Sequence, residues 1–192
     1  MNAITQMITQ QITGSVANQL AARLGVSEGT ANTAVQLAVP LIVSALARNA
    51  AQPAGAEALH QAVESDHDGG ILDNLRGYLG NPQPANGAGI LGHVLGDQRG
   101  AVENNLAQAA GMDQGTAGNL MEMVAPMVMG ALGRKQREGG LDSSGLAQYL
   151  GEQHQQTAAA PGMMGMLSSM LDSNHDGGVV DDLTRIAGNF FK

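Results

Sequence analysis

The chain has 192 residues, with 9 Lys and Arg against 17 Asp and Glu for a formal charge of −8, and 27 Gly, 11 Met, two Tyr, two Phe, no Trp and no Cys. The missing cysteines exclude a disulfide scaffold, a thiolate metal site and a thiol nucleophile, and the acidic balance argues against a nucleic-acid binder, which needs a basic, counterion-releasing face. The longest apolar run, around Ala38–Ala47, is about half the roughly 20 residues that span a bilayer. The start, MNAITQMITQQITG, lacks the basic and apolar regions of a secretory leader, so the expected setting is the cytoplasm, away from membranes.

Apolar residues recur at three and four, and no stretch alternates as strands do, so the chain reads as all-α. Val16, Leu20 and Leu24 share one helical face, and Gly25 suits a left-handed helix end. Ser27 can cap the next helix, which runs from Glu28 to about Arg48 with Pro40 inside it. A proline there removes a hydrogen bond and clashes with the preceding turn, at about 3 kcal/mol, so these long helices are expected to be kinked. Further helices are predicted over 54–64, 71–79, 88–95, 145–153, 163–171 and 179–190. The polar QHQQTAAAPG stretch (Gln153–Gly162) reads as a loop or linker.

The chain also repeats itself. Ser15–Arg48 lies over Ala101–Arg134 without a gap, so that Val16, Leu20, Gly25, Thr30, Pro40 and Arg48 meet Val102, Leu106, Gly111, Thr116, Pro126 and Arg134. Further on, ESDHDGGILDNL (Glu64–Leu75) matches DSNHDGGVVDDL (Asp172–Leu183), with Asp113 standing where the first copy has the capping Ser27. Self-similarity of this kind reports architecture. The expectation is two copies of one helical-hairpin unit, 1–82 and 83–192, joined at GNPQPANG (Gly80–Gly87). The second copy carries an inserted helix and linker at about 136–162. A core of Ala, Val, Leu, Met and Gly recovers little apolar area per residue, which points to units stacked on each other or paired with another chain.

VANQLAARLGVSEGTANTAV reads like a DNA-binding helix–turn–helix, but Glu28–Arg48 carries no positive charge before its last residue, and its counterpart contains Asp113 and Glu122. Facing phosphates, such a surface repels. A packing hairpin is the expected role.

The two acidic loops offer the one candidate ion site. From Asp172, oxygens fall at positions 1, 3 and 5 (Asp172, Asn174, Asp176) with Gly177 at 6; the first copy places Glu64, Asp66, Asp68 and Gly69 there. That is the opening half of a calcium loop. The closing bidentate Glu at position 12 is replaced by Leu75 and Leu183, with Asp73 and Asp181 at position 10. The set Glu64, Asp66, Asp68, Asp73, Asp172, Asn174, Asp176 and Asp181 therefore reads either as calcium ligands or as turn formers and helix caps. His67 and His175 are expected to face solvent without metal-ligand partners. His60, His93 and His154 belong to no triad, and no phosphate loop or nucleophile elbow is present. No enzyme is expected, and no cofactor beyond that candidate calcium.

GAGILGHVLG (Gly87–Gly96) reads as a close-packed interior helix or a self-association patch. Met121, Met123, Met127 and Met129, with Met163, Met164, Met166 and Met170, fill a core or line an adaptable groove.

Three segments together, GILGHVLG, AVENNLAQAAGMDQGTAGNLMEMVAPMVMGALG and the terminal DSNHDGGVVDDL, resemble the YidB-like family of bacterial proteins of unknown function, over about Gln11 to the C-terminus. The resemblance implies an all-helical cytoplasmic protein and no catalytic residues to carry over. The expected role is non-enzymatic interaction or assembly, with a protein partner or a second copy.

Overall fold

The computed structural model describes residues 3–82 and 85–158. They form α1 (Ala3–Gln11), α2 (Ser15–Leu24), α3 (Glu28–Ala50), α4 (Pro53–Asp66), α5 (Leu75–Gly80), α6 (Gly87–Leu95), α7 (Arg99–Ala110), α8 (Gln114–Gly139) and α9 (Ser143–Ala158), with short 3₁₀ turns at Gly70–Leu72 and Gly96–Gln98. No strand occurs among the described residues. The protein is all-α.

Two turns of the same construction set the frame. Gly25 and Gly111 both stand in the left-handed region, at φ 69° and 70°, where a residue without Cβ is unstrained. The next amide, of Val26 or Met112, reaches back to the carbonyl of Ala21 or Ala107 at 3.1 and 3.0 Å. Then Ser27 accepts from the Thr30 amide at 3.1 Å, and Asp113 accepts from the Thr116 amide at 2.9 Å. These caps satisfy amides that have no partner inside the helix. They start α3 and α8 where the sequence places them.

α3 and α8 are the centre of the molecule. α3 packs against α9, α8, α7, α2 and α4, while α6, α7 and the 70–72 turn lie on α8. From Ala31 to Leu46 almost every apolar side chain of α3 is buried, and Leu120–Leu132 of α8 is its match. Met121, Met123, Met127 and Met129 are core residues. By length and composition α3 could cross a membrane, but 67% of that apolar window is buried by its neighbours. Counting only uninterrupted apolar residues misses this property, because Thr, Asn and Gln punctuate the first half of the helix.

Pro40 and Pro126 lie inside α3 and α8 and are buried. Pro126 has no N–H for the carbonyl of Glu122, four residues back. Gly87, at the start of α6, sits on that carbonyl so closely that a Cβ would lie 1.8 Å from its oxygen. Arg99 ties the same region together. Its Nε donates to Glu103 at 2.6 Å, one Nη donates to the Glu122 carboxylate, and the other reaches the Ala88 carbonyl at 3.4 Å.

Three expectations need correction. Residues 71–79 are not one helix: a 3₁₀ turn ends at Leu72, and Asn74 caps α5 by accepting from the Gly77 amide at 3.0 Å. Gln153–Ala158 continue α9 and are not a linker. Tertiary bonds hold these polar residues, since Gln153 accepts from the Ala3 amide at 2.7 Å and His154 Nδ1 meets Ser44 Oγ at 3.0 Å. Finally, α1 forms where no helix was expected, burying Ile4 and Ile8. The helices predicted at 163–171 and 179–190 lie outside the described residues.

Candidate functional site

The first acidic loop begins where α4 ends at Asp66. The amide of His67 still bonds the Val63 carbonyl at 3.2 Å, and Gly69 then turns the chain at φ 87°. At Gly69 a Cβ would lie 3.0 Å from the Gly130 carbonyl oxygen and 3.1 Å from Arg134 Cβ. Backbone therefore seats on the face of α8. Arg134 fastens it, donating to the Gly69 carbonyl at 3.3 Å and pairing with the Asp73 carboxylate.

The four carboxylates of this loop diverge. Glu64 faces His60 at 3.9 Å, and Asp73 goes to Arg134. Asp68 accepts from the Gly70 amide at 2.9 Å and faces Arg137 at 3.7 Å. Asp66 is exposed. Among the described residues no three His, Asp or Glu side chains form a group that could hold a metal ion. Asp172, Asn174, Asp176 and Asp181, with His175, lie outside the described residues.

His67 does not face solvent as expected. It is half-buried, and desolvation lowers its pKa below the ordinary value despite the opposing pull of Asp66. Dehydration of an imidazolium costs more here than one exposed carboxylate returns.

Beside this loop lies an open groove of about 870 Å³. One wall is α4, where Gly55, Ala58, Leu59, Ala62 and Asp66 form a single stripe at helical spacing. The other is α6, through Gly89, Ile90, His93 and Val94; Leu46 and Met129 line it from α3 and α8. Asn49 joins the walls at one end. Its side-chain amide donates to the Val94 carbonyl at 3.0 Å, and its own carbonyl oxygen would stand 2.1 Å from a Cβ on Gly55. α4 leaves this end and α6 arrives at it, so the walls run in opposite directions. Tyr78 and the 66–71 loop contribute further lining, and the Tyr78 hydroxyl donates to the Met123 carbonyl at 2.9 Å. Burial raises the pKa of that phenol.

α6 is divided between the core and the groove. Leu91 and Leu95 are buried in the core, while Ile90 and Val94 are only half-buried and line the opening. The stripe on α4 has no hydropathy signature in the sequence, because glycine and alanine carry little hydropathy signal. Of the candidate ion ligands, Asp66 and Asp68 also line the groove; Glu64 and Asp73 do not. Among the described residues, Asp66 and Asp68 are its only formally charged lining residues.

No curated protein and no solved structure shows a significant match to the chain. One family does match, described as a bacterial protein of unknown function (DUF937), over residues 6–135. That span runs from α1 to near the end of α8 and includes the first acidic loop and both groove walls. The chain belongs to this bacterial family, DUF937, of which the YidB-like proteins are members.

Proposed function

We propose that the protein is a non-enzymatic interaction module whose working surface is the groove between α4 and α6. One observation carries the reading. Two antiparallel helices hold a stripe of small and aliphatic side chains apart, leaving it open beside an otherwise closed core. A pocket for a small substrate usually adds convergent polar or catalytic groups. Here the polar members are three asparagines, two histidines, two aspartates and Tyr78, whose hydroxyl is taken by the Met123 carbonyl. A helix with an apolar face is the natural occupant of such a slot. The test is selection of helical peptides on the folded protein, followed by binding to an Ala58→Trp, Ala62→Phe variant with the groove filled. Peptides that bind the parent and not this variant support the reading; failure to recover any peptide sinks it.

We read the two long helices, each with its preceding turn, as copies of one unit, 1–82 and 83–192. The support is the recurrence of glycine turn, cap and internal proline at the same spacing. The calcium reading has less support, since Arg134, Arg137 and a backbone amide already engage Asp73 and Asp68. DNA binding is disfavoured by the burial of α3. A cytoplasmic setting and assembly with a second copy remain part of the proposal, and sedimentation across concentrations tests the latter.

A further inference from the structure

We infer that the occupant of this groove is a cationic amphipathic helix from a partner protein, an inference that rests on the groove being an interaction surface. The wall of α4 from Gly55 to Asp66 is about 16 Å long at 1.5 Å per residue, three helical turns. Its small side chains admit a second helix at close range, and Ile90 and Val94 supply the apolar contact opposite.

The charge at one end selects the partner. α4 finishes with Glu64 and Asp66 in its last turn and no basic residue there. The carboxyl end of a helix is already its negative pole, so acids there are misplaced for α4 itself. Asp66 is exposed and has neither hydrogen bond nor ion pair among the described residues. Asp68 adds a second carboxylate, which also accepts from the Gly70 amide and faces Arg137 at 3.7 Å. Among the described residues no lysine or arginine lines the groove. A lysine or arginine at the end of an incoming helix would meet the unpaired Asp66 at this negative helix end, while an acidic end would be repelled.

The same field disfavours the other occupants. A second copy brings a net charge of −8. Of the chain's own residues after 158, the stretch 172–182 carries Asp172, Asp176, Asp181 and Asp182 and is repelled by the same field.

The test uses fluorescein-labelled three-turn helical peptides with one Leu/Ala face, bearing a pair of lysines or a pair of glutamates at either end. Against the full-length protein, the better lysine peptide is expected to bind about tenfold tighter than its glutamate counterpart at low ionic strength. Asp66→Lys, an exposed change that leaves the core intact, is expected to reverse the preference. Ala58→Trp is expected to weaken both peptides, with melting curves confirming that the variants are folded. Equal affinity for lysine and glutamate peptides, still blocked by Ala58→Trp, overturns the cationic partner and leaves the groove as an interaction surface. No binding by any peptide, or binding indifferent to Ala58→Trp, overturns both.

Discussion

The carbonyl oxygen of His67 occupies the space that a side chain at Gly133 would need: a Cβ there would stand 1.7 Å away. Gly130 is similar, with Ile71 Cγ2 at 2.5 Å from its notional Cβ. The acidic loop thus sits in a two-residue notch on α8, backbone against backbone. Gly133→Ala cannot be relieved by a rotamer change, because the obstacle is main chain. We expect a loss of about 3 kcal/mol, typical of overpacking, or a fall in Tm of about 6–12 °C for a chain of this size. Thermal melting checks it; an unchanged Tm would mean that the loop is not seated on α8.

Arg134 binds this loop twice, through the Gly69 carbonyl and the Asp73 carboxylate. Asp73 is 73% exposed, so the ion pair itself is screened and worth at most about 1 kcal/mol. The carbonyl contact is lost only when the arginine is removed. Arg134→Gln should therefore destabilise more than Asp73→Asn, and a double-mutant cycle should give a coupling of about 0.5 kcal/mol. Equal single-mutant losses would remove the carbonyl from the account.

Much of this frame is written locally. Gly25, Ser27, Gly111 and Asp113 act through neighbours one turn away, so their caps are legible from spacing alone. Residues 153–158 and α1 are not legible from local pattern, because their order comes from distant partners, Ala3, Ser44 and the core. The acidic loop was legible as a motif but not as a docking element. Its pattern of oxygens is visible in sequence, whereas the arginines that claim Asp68 and Asp73 lie more than 60 residues away. The groove was least legible, since it is made from an absence of large side chains at Gly55, Ala58, Ala62 and Gly89.

Tyr78 joins the end of α5 to the Met123 carbonyl of α8. Tyr78→Phe keeps the ring and removes that bond, at an expected cost of about 1 kcal/mol. Burial raises the folded-state pKa above the ordinary value of 10.0. Stability from the neutral phenol is then complete below pH 10 and is lost as pH rises beyond it, because only the unfolded chain releases the proton readily. The wild type should consequently lose stability more steeply than Tyr78→Phe between pH 9.5 and about 11. Parallel curves for the two proteins would contradict the burial argument.

His67 gives the opposite sign at milder pH. Desolvation holds its folded pKa below the ordinary 6.5, so the unfolded chain takes up a proton first as the solution is acidified. Stability is complete above about pH 6.5 and falls as pH drops toward the folded value. Asp66 on the loop favours the charged ring, but burial outweighs it. Asp113 and Asp142 are also shifted, but downward by hydrogen bonds from Thr116 and Gly145, which confines their effect to more acidic solution. Melting temperature between pH 7.5 and about 5.5 isolates the histidine. The wild type should lose more than His67→Asn over this interval. If both lose the same, some other group carries the pH dependence and the ring is not desolvated by the fold.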